Sequence, residues 1–494
     1  MKKVLVWTLI SVLAIAQVQA KTKKAVVPAT PWERADSIVD AIQKTHFPDR
    51  VYKITDYGAR AYRPDAPISL AHDAINLAIT ICSQEGGGTV LVPDSIYLTG
   101  PITLLSNVNL HLEDGAILRF STNPELYYPA VRTFWEGIEC FNTHPLIYAY
   151  AATNIAVTGK GVLDAQGSND SWWSWCGSRR FGWKPGMISQ SGRHGDKYKG
   201  PRAQLLQWGE KQVPVHERIF TMEEGMRPQF LNVFRCNSVL IEDVTFLQSP
   251  FWSLHPLFCN DLIVRGVTVH NQGPNGDGCD PECCNRVLIE NCIFHTGDDC
   301  IAIKSGRNMD GRKWNTPSQN IVIRGCKMED GHGGVVIGSE ISGGYRNLYV
   351  EDCEMDSPHL ERVIRIKTNN CRSGIIENIY VRNIRVGVCK ETVLRINLNY
   401  EPGEQCVRGN NPVVRNVNLE NVTCQKSQFG VILNGLEDAC NIYDVHLKDC
   451  TFNGVTPSKR YGGTVIGQTG KFRNIHFDNV TINGEKAEAP ADNL

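Results

Sequence analysis

One recurring pattern constrains this chain more than any bulk property. It is an asparagine, a run of alternating apolar residues, a polar or glycine break, and two more alternating apolar positions. It is clearest as Asn237-Ser-Val-Leu-Ile-Glu-Asp-Val-Thr-Phe246, Asn260-Asp-Leu-Ile-Val-Arg-Gly-Val-Thr-Val269 and Asn285-Arg-Val-Leu-Ile-Glu-Asn-Cys-Ile-Phe294. Further copies begin at Asn320, Asn347, Asn378, Asn416 and Asn474, a degenerate one lies around Asp444, and less complete ones begin at Asn107 and Asn154. Period-two alternation is a strand signal, and the break divides each copy into two short strands with a bend. Copies recur roughly every 23 to 38 residues, the spacing of stacked supersecondary units. An α-solenoid would carry a 3.6-residue period and a propeller would repeat regular four-stranded blades; neither fits. The pattern predicts an all-β fold, a single-stranded parallel β-helix with one copy per coil. Val, Ile, Leu and Cys turn inward, and the asparagines hydrogen-bond along the stack as a structural ladder.

A solenoid needs covered ends, because terminal coils expose unpaired strand edges. Ser69 to Gln84 supplies an N-terminal cap helix: Ser69 or His72-Asp73 opens it, and Ala71, Ala74, Ile75, Ala78 and Ile79 form its apolar stripe. Gly86-Gly87-Gly88 ends it. A shorter helix, Trp32 to Gln43, is expected to pack on the surface. Residues 165–225 break the repeat with Trp172, Trp173, Trp175 and Trp183 among many Arg, Lys and Gly, and read as a loop insertion beside a cleft that builds sugar subsites. The division is therefore 1–20 export signal, 21–50 extension, 51–485 β-helix catalytic domain and 486–494 a tail without fixed structure.

The export signal rests on Lys2 and Lys3, an apolar Val4 to Ala16, and small residues at Val18 and Ala20 before the cut. The apolar run falls short of the roughly 20 residues that span a bilayer, so no stable membrane insertion is expected. The protein is read as periplasmic or extracellular. Export would suit a disulfide framework for 18 cysteines. However, Cys292, Cys326, Cys353 and Cys450 recur at one phase of the repeat, where a buried small hydrophobe belongs. Stacked core thiols, with one or two disulfides in loops, are expected. Cys279, Cys283 and Cys284 lack the paired spacing of a zinc site, and no cofactor or metal is inferred. Lys plus Arg (51) nearly balances Asp plus Glu (52), which gives no global field for nucleic acid. The sequence leaves the oligomeric state open.

Four short clusters follow or interrupt successive repeats: Asn275-Gly-Asp277-Gly-Cys-Asp280, Gly297-Asp298-Asp299-Cys300, Gly331-His332-Gly333-Gly334 and Arg365-Ile366-Lys367. Each alone has an ordinary explanation. Asp pairs occupy turns, Asp-Gly runs also bind calcium, a His between glycines is a turn residue, and alternating Arg and Lys line solvated strands. Stacking changes this, because rungs about 4.8 Å apart make neighbours of distant residues. Glycoside hydrolysis needs one carboxyl to protonate the leaving oxygen and another to activate water or attack. Three crowded aspartates would raise the proton affinity of at least one. Arg365 and Lys367, two apart on a strand, share a face suited to a sugar carboxylate.

The four clusters, in this order, with Asp56-Tyr57-Gly58-Ala59 and Gly86-Gly-Gly-Thr-Val-Leu-Val-Pro93, resemble the polygalacturonase family of pectin-degrading glycosidases (glycoside hydrolase family 28). The likeness spans roughly Tyr57 to Ile482. It implies a right-handed, pectin-lyase-like β-helix and inverting hydrolysis of α-1,4 bonds in polygalacturonate or oligogalacturonides. It also implies Asp298 as general acid, Asp277 and Asp299 holding and deprotonating the water, and His332 assisting near the acid. Arg365, Lys367 and Asn275 would bind substrate. Gly276 stands where many members have Thr. Gly338-Ser-Glu-Ile-Ser-Gly-Gly344 and the insertion resemble exo-acting bacterial members; endo action stays open, and His332 counts against rhamnogalacturonan hydrolases. A calcium-dependent pectate lyase and a non-catalytic glycan-binding β-helix are the remaining alternatives.

Overall fold

The computed structural model describes residues 30–457 and 459–494, so the expected signal at 1–20 lies outside the described residues. The repeat becomes a right-handed parallel β-helix. Each coil contributes two short strands, separated by the bend, to a long parallel sheet. A third strand goes to a shorter sheet that runs as Ile102–Thr103, Ile147–Tyr150, Leu231–Phe234 and Leu254–Leu257. It continues from Asp299–Ile303 to Ile466–Thr469. Register is kept across the stack. Val239, Leu262, Val287, Ile321, Leu348, Ile379, Val417, Val445 and Ile475 form one inward column. A one-residue slip would turn every such side chain to water, so the hydrophobic pattern fixes the pairing.

The asparagine ladder is continuous. Asn285 donates to Asn260 at 3.3 Å, Asn320 to Asn285 at 2.8 Å, Asn347 to Asn320 at 2.9 Å and Asn378 to Asn347 at 3.1 Å. Several of these residues hold positive φ, 56° at Asn320 and 64° at Asn347. Asparagine tolerates that region best among residues with a side chain, so one residue type serves both the bend and the ladder.

Cys292, Cys326 and Cys353 stack as buried thiols, and Cys450 is buried further along. Among the described residues one disulfide joins Cys371 to Cys406, and the other 16 cysteines are free. The cap helix spans His72–Gln84 and buries Ala74, Ile75, Ala78, Ile79 and Cys82. It starts without a side-chain cap, so Ser69 does not open it. The surface helix is Pro31–Asp40, capped by Thr30 and Glu33, and lays Ala35 and Ile38 on Ile263, Leu288, Val322 and Tyr349. No helix among the described residues is long and apolar enough to cross a membrane.

Two expectations are corrected. The tail beyond Lys486 is not structureless: Asn493 pairs with Phe472 and Asp492 accepts from the Asn474 amide, which covers the last coil edge. In the insertion, Trp172 and Trp183 are buried, and Trp173 donates its indole N–H to the Ser249 carbonyl at 2.9 Å. Trp172 and Trp173 anchor the insertion to the coils, Trp183 packs within the insertion and donates to the Met187 carbonyl, and none of the three is a sugar platform. Its Pro201–Glu210 helix, with the antiparallel hairpin Val131–Trp135 and Ile138–Asn142, approaches the face of the short sheet.

Candidate active site

The short sheet places the four clusters together. Cys279 bridges both Leu254 and Ile301, Ile301 pairs with Val335, and Val335 with Ile364. These apolar residues point inward. Alternation then turns Asp280, Lys304, Arg365 and Lys367 outward on neighbouring rungs, while Asp277 and Asp299 sit at the strand starts. The side-chain oxygens of Asp277, Asp298 and Asp299 lie within 4.8 Å of one another. Asp277 and Asp298 line a cavity of about 330 Å³ with Asn275, Lys304, His332, Arg365, Lys367 and Tyr400, and Asp299 is buried directly behind that wall. That volume sits at the small end of the roughly 300–1,000 Å³ usual for ligand sites.

The Gly-His-Gly glycines have a steric reason. Gly333 faces Asp299 in register, and a Cβ there would fall 2.4 Å from the Val336 side chain and 3.2 Å from the Asp299 carboxylate. Its bareness keeps that carboxylate uncrowded on the adjacent rung. Lys367 donates to Asp299 Oδ2 at 2.6 Å, and Arg365 NH1 to Oδ1 at 3.3 Å. The pair expected to clamp substrate thus also holds Asp299. Gly331 has φ 135°, and a Cβ there would fall 2.5 Å from the Asp298 carbonyl. His332 then turns its Nδ1 to Asp298 Oδ1, 3.0 Å away. Asn275 lines the cavity, and its side-chain oxygen accepts from buried Arg227 at 2.7 Å.

The three aspartates differ in proton affinity. Burial, then the charges of Asp280 and Asp298, push Asp277 well above the ordinary carboxylate range against the pull of Lys304. Burial is the largest influence on Asp298 and would raise it, but the hydrogen bond and charge of His332 together with the charge of Lys367 hold Asp298 below that range; His332 rises in return. Burial also opposes ionisation of Asp299, yet Lys367 and Arg365 overcome it and keep Asp299 an anion. Crowding does raise one acid, as expected, but that acid is Asp277. The proton beside Asp298 rests on the imidazole.

Sequence reasoning missed Lys304. It is buried, with Nζ 3.2 Å from Glu340 Oε2, 3.5 Å from Asp280 Oδ1 and 3.8 Å from Asp277 Oδ2, and 4.4 Å from the Trp252 ring centroid. Its signal was available, since Ile301-Ala-Ile-Lys304 alternates and sets Lys304 in the same outward row as Lys367. Tyr400, whose ring centroid lies 5.5 Å from Arg365 and 5.3 Å from Lys367, gave no signal, because it follows a strand in an irregular loop. Glu136, Arg202, Arg307, Glu340 and Glu401 complete the wall. The aspartate trio offers oxygens close enough for a cation, but Lys367, Arg365 and His332 already occupy that charge.

A comparison with known proteins agrees with this geometry. Residues 216–441 match the family model described as glycosyl hydrolases family 28. The chain is 27% identical over 368 residues to a probable polygalacturonase of Vitis vinifera, covering 72% of this chain and 65% of that protein's length. It is 24% identical to an exo-poly-alpha-D-galacturonosidase of Dickeya chrysanthemi, covering 88% of this chain and 75% of that one. The crystal structure of a hyperthermoactive exopolygalacturonase from Thermotoga maritima superposes with a TM-score of 0.84 at 36% identity, over 93% of this chain and 98% of that one. Shared sequence and backbone over nearly the full length of both chains, with the aspartate trio on adjacent rungs, make this protein a member of glycosyl hydrolase family 28.

Proposed function

We propose that the protein hydrolyses α-1,4 bonds of polygalacturonate from a chain end, releasing one sugar per cut with inversion. The observation that carries this reading is the close aspartate trio, with Asp277 and Asp298 lining a small cavity whose other polar groups include Arg365 and Lys367, and Asp299 buried against them. Asp298 protonates the leaving glycosidic oxygen. Asp277 and Asp299 hold a water that loses its proton to one of them as its oxygen bonds the anomeric carbon; the glycosidic carbon–oxygen bond breaks, and the leaving oxygen keeps the electron pair and takes Asp298's proton. His332 and Lys367 hold the proton affinity of Asp298 low, so bound substrate must raise it. A galacturonate carboxylate near Arg365 and Lys367 adds negative charge and excludes water, which draws the His332 proton onto Asp298. Asn275 contributes to holding the sugar.

End-on action is supported by the wall. The tip of the Val131–Asn142 hairpin brings Glu136, and the insertion helix brings Arg202, to one side of the cavity. Inversion follows from the family resemblance, since carboxyl spacing within 4.8 Å lies below the range of roughly 6.5–9.5 Å usual for inverting pairs. Residues 1–20 are read as an export leader that delivers the enzyme to the periplasm or beyond.

The test uses oligogalacturonides labelled at the reducing end. Monomer and a label shortened by one unit should appear from the first time point, and proton NMR should detect the β-anomer first. A ladder of labelled lengths at the outset defeats end-on action. A first-formed α-anomer defeats inversion. Unsaturated products absorbing in the ultraviolet defeat hydrolysis.

A further inference from the structure

The catalytic cavity does not end on backbone. Where it stops, four charged side chains interlock. Arg202 NH2 lies 2.7 Å from Glu136 Oε2, and Arg307 NH1 lies 2.9 Å from that same oxygen. Arg307 NH2 is 3.1 Å from Glu401 Oε2. Arg307 also holds Glu340 at 3.3 Å and Glu404 at 2.9 Å. These groups come from the hairpin, the insertion helix and two separate strand-end loops, so the partition is made of side chains that meet.

Behind it lies a second cavity of about 210 Å³, and the two share Arg202, Arg307 and Glu401 as lining residues. Its far side carries features suited to an acidic sugar. Tyr198 offers a half-exposed ring, Leu206 and Pro402 give an apolar floor, and Lys197 makes no ion pair among the described residues, its ammonium lying 5.0 Å from the Tyr198 ring centroid. An aromatic face beside an uncompensated cation suits a uronate ring with its carboxylate.

We propose that the Glu136–Arg202–Arg307–Glu401 cluster is the stop that limits the closed side of the cavity to one sugar, and that the chamber behind it is a latent further uronate subsite. This rests on the end-on reading above. The ion pairs suit a stop. Arg307 is buried and paired several times over, so opening the partition by motion would leave its buried guanidinium short of partners. Removing Arg202 and Glu401 together deletes one charge of each sign. Glu136 keeps Arg307, and Arg307 keeps Glu136, Glu340 and Glu404.

The test is the first-cut pattern of reducing-end-labelled hexagalacturonate with Arg202→Ala/Glu401→Ala. The wild-type enzyme should leave only the label shortened by one unit; a ladder there defeats the end-on reading itself, independently of the stop. The double variant should add a remnant shortened by two units, with free digalacturonate, as a major early product. Adding Leu206→Trp, which fills the rear chamber, should suppress that remnant. A double variant that still turns over and leaves only the one-unit remnant overturns the proposal, as does a two-unit remnant unaffected by Leu206→Trp. Should the double variant not fold, Glu401→Ala alone, which leaves Arg307 three carboxylates, is read the same way.

Discussion

The long sheet's outer face and the short sheet's face both stack charged residues on rungs of the same spacing, yet they behave as different materials. On the long sheet, Arg265 bridges Glu242 and Glu290, Arg324 also meets Glu290, and Arg382 meets Glu351, all with partly exposed arginines. Signs alternate up the stack and water screens them, so each pair contributes little, about 0–1 kcal/mol. On the short sheet, Asp277, Asp280, Asp299, Lys304, Arg365 and Lys367 are buried. There, proton positions depart from ordinary values. Spacing alone does not make a reactive site; covering the same ladder does, and the hairpin and insertion supply the cover.

The strongest attempt to break this contrast is Asp298→Asn. It keeps shape and removes the transferable proton, so kcat should fall roughly 10²–10⁴-fold while substrate binding is retained. A variant that keeps most of its turnover would move the acid role elsewhere, with the proton-rich Asp277 next in line.

A smaller loss is expected from Lys367→Met. It removes the 2.6 Å partner of Asp299 and leaves Arg365, at 3.3 Å, to hold that carboxylate alone. Truncating one member of a buried charge pair costs about 2 kcal/mol or more, roughly a thirtyfold fall in kcat/KM, chiefly through a raised KM. An unchanged KM would show that Lys367 serves Asp299 and never meets the sugar carboxylate.

His332→Gln sharpens the comparison through pH. In the empty enzyme the Asp298–His332 pair carries one proton, and His332 is raised above its ordinary value near 6.5 by the Asp298 carboxylate. Activity depending on that proton is present below the raised value and is lost as pH rises through it. With glutamine the proton must sit on Asp298 itself, without an imidazolium beside it, so the alkaline limb of kcat/KM shifts to lower pH. A limb that stays in place assigns it to another group.

The two faces also differ in how far the sequence disclosed them. The coil was readable because its period, its Asn bends and its inward Val, Ile and Leu all report one local geometry, repeated many times. The aspartates, His332, Arg365 and Lys367 were readable because they form short motifs that follow or interrupt successive repeats. Lys304 shares the outward row of Lys367 and was passed over for want of a motif around it. Tyr400, Glu401, Arg202 and Glu136 come from a loop, an insertion and a hairpin whose positions follow from tertiary packing, and no period announces them. The tryptophans misled because composition tells that aromatic surface must be covered, but not whether sugar or protein covers it. The protonation pattern escaped for a similar reason: it depends on His332 lying 3.0 Å from Asp298 and Lys367 2.6 Å from Asp299, distances between residues many positions apart.

The smallest effect expected is on the ladder itself, and it separates the two faces most directly. Asn320 donates to Asn285 at 2.8 Å, accepts from Asn347 at 2.9 Å and holds φ at 56°. Asn320→Ala removes both bonds and leaves a Cβ in the left-handed region without the polar group that makes it tolerable there, at about 1 kcal/mol for each lost bond and about 1 kcal/mol for the backbone. Asn320→Gly loses the same bonds but escapes the backbone strain, so the difference between the two variants isolates the bend from the ladder. Each coil leans mainly on its neighbours, so the destabilisation should appear as faster hydrogen exchange in the coils flanking Asn320. kcat and KM on oligogalacturonides should match the parent enzyme at temperatures where the variant stays folded, because the ladder lies on the outer bend of the long sheet and contributes nothing to the cavity wall. A matched loss of activity in both variants would mean that strain at the bend reaches the short sheet through the coil interior. The contrast between a soft, screened face and a covered, reactive one would then have to yield to a single coupled body.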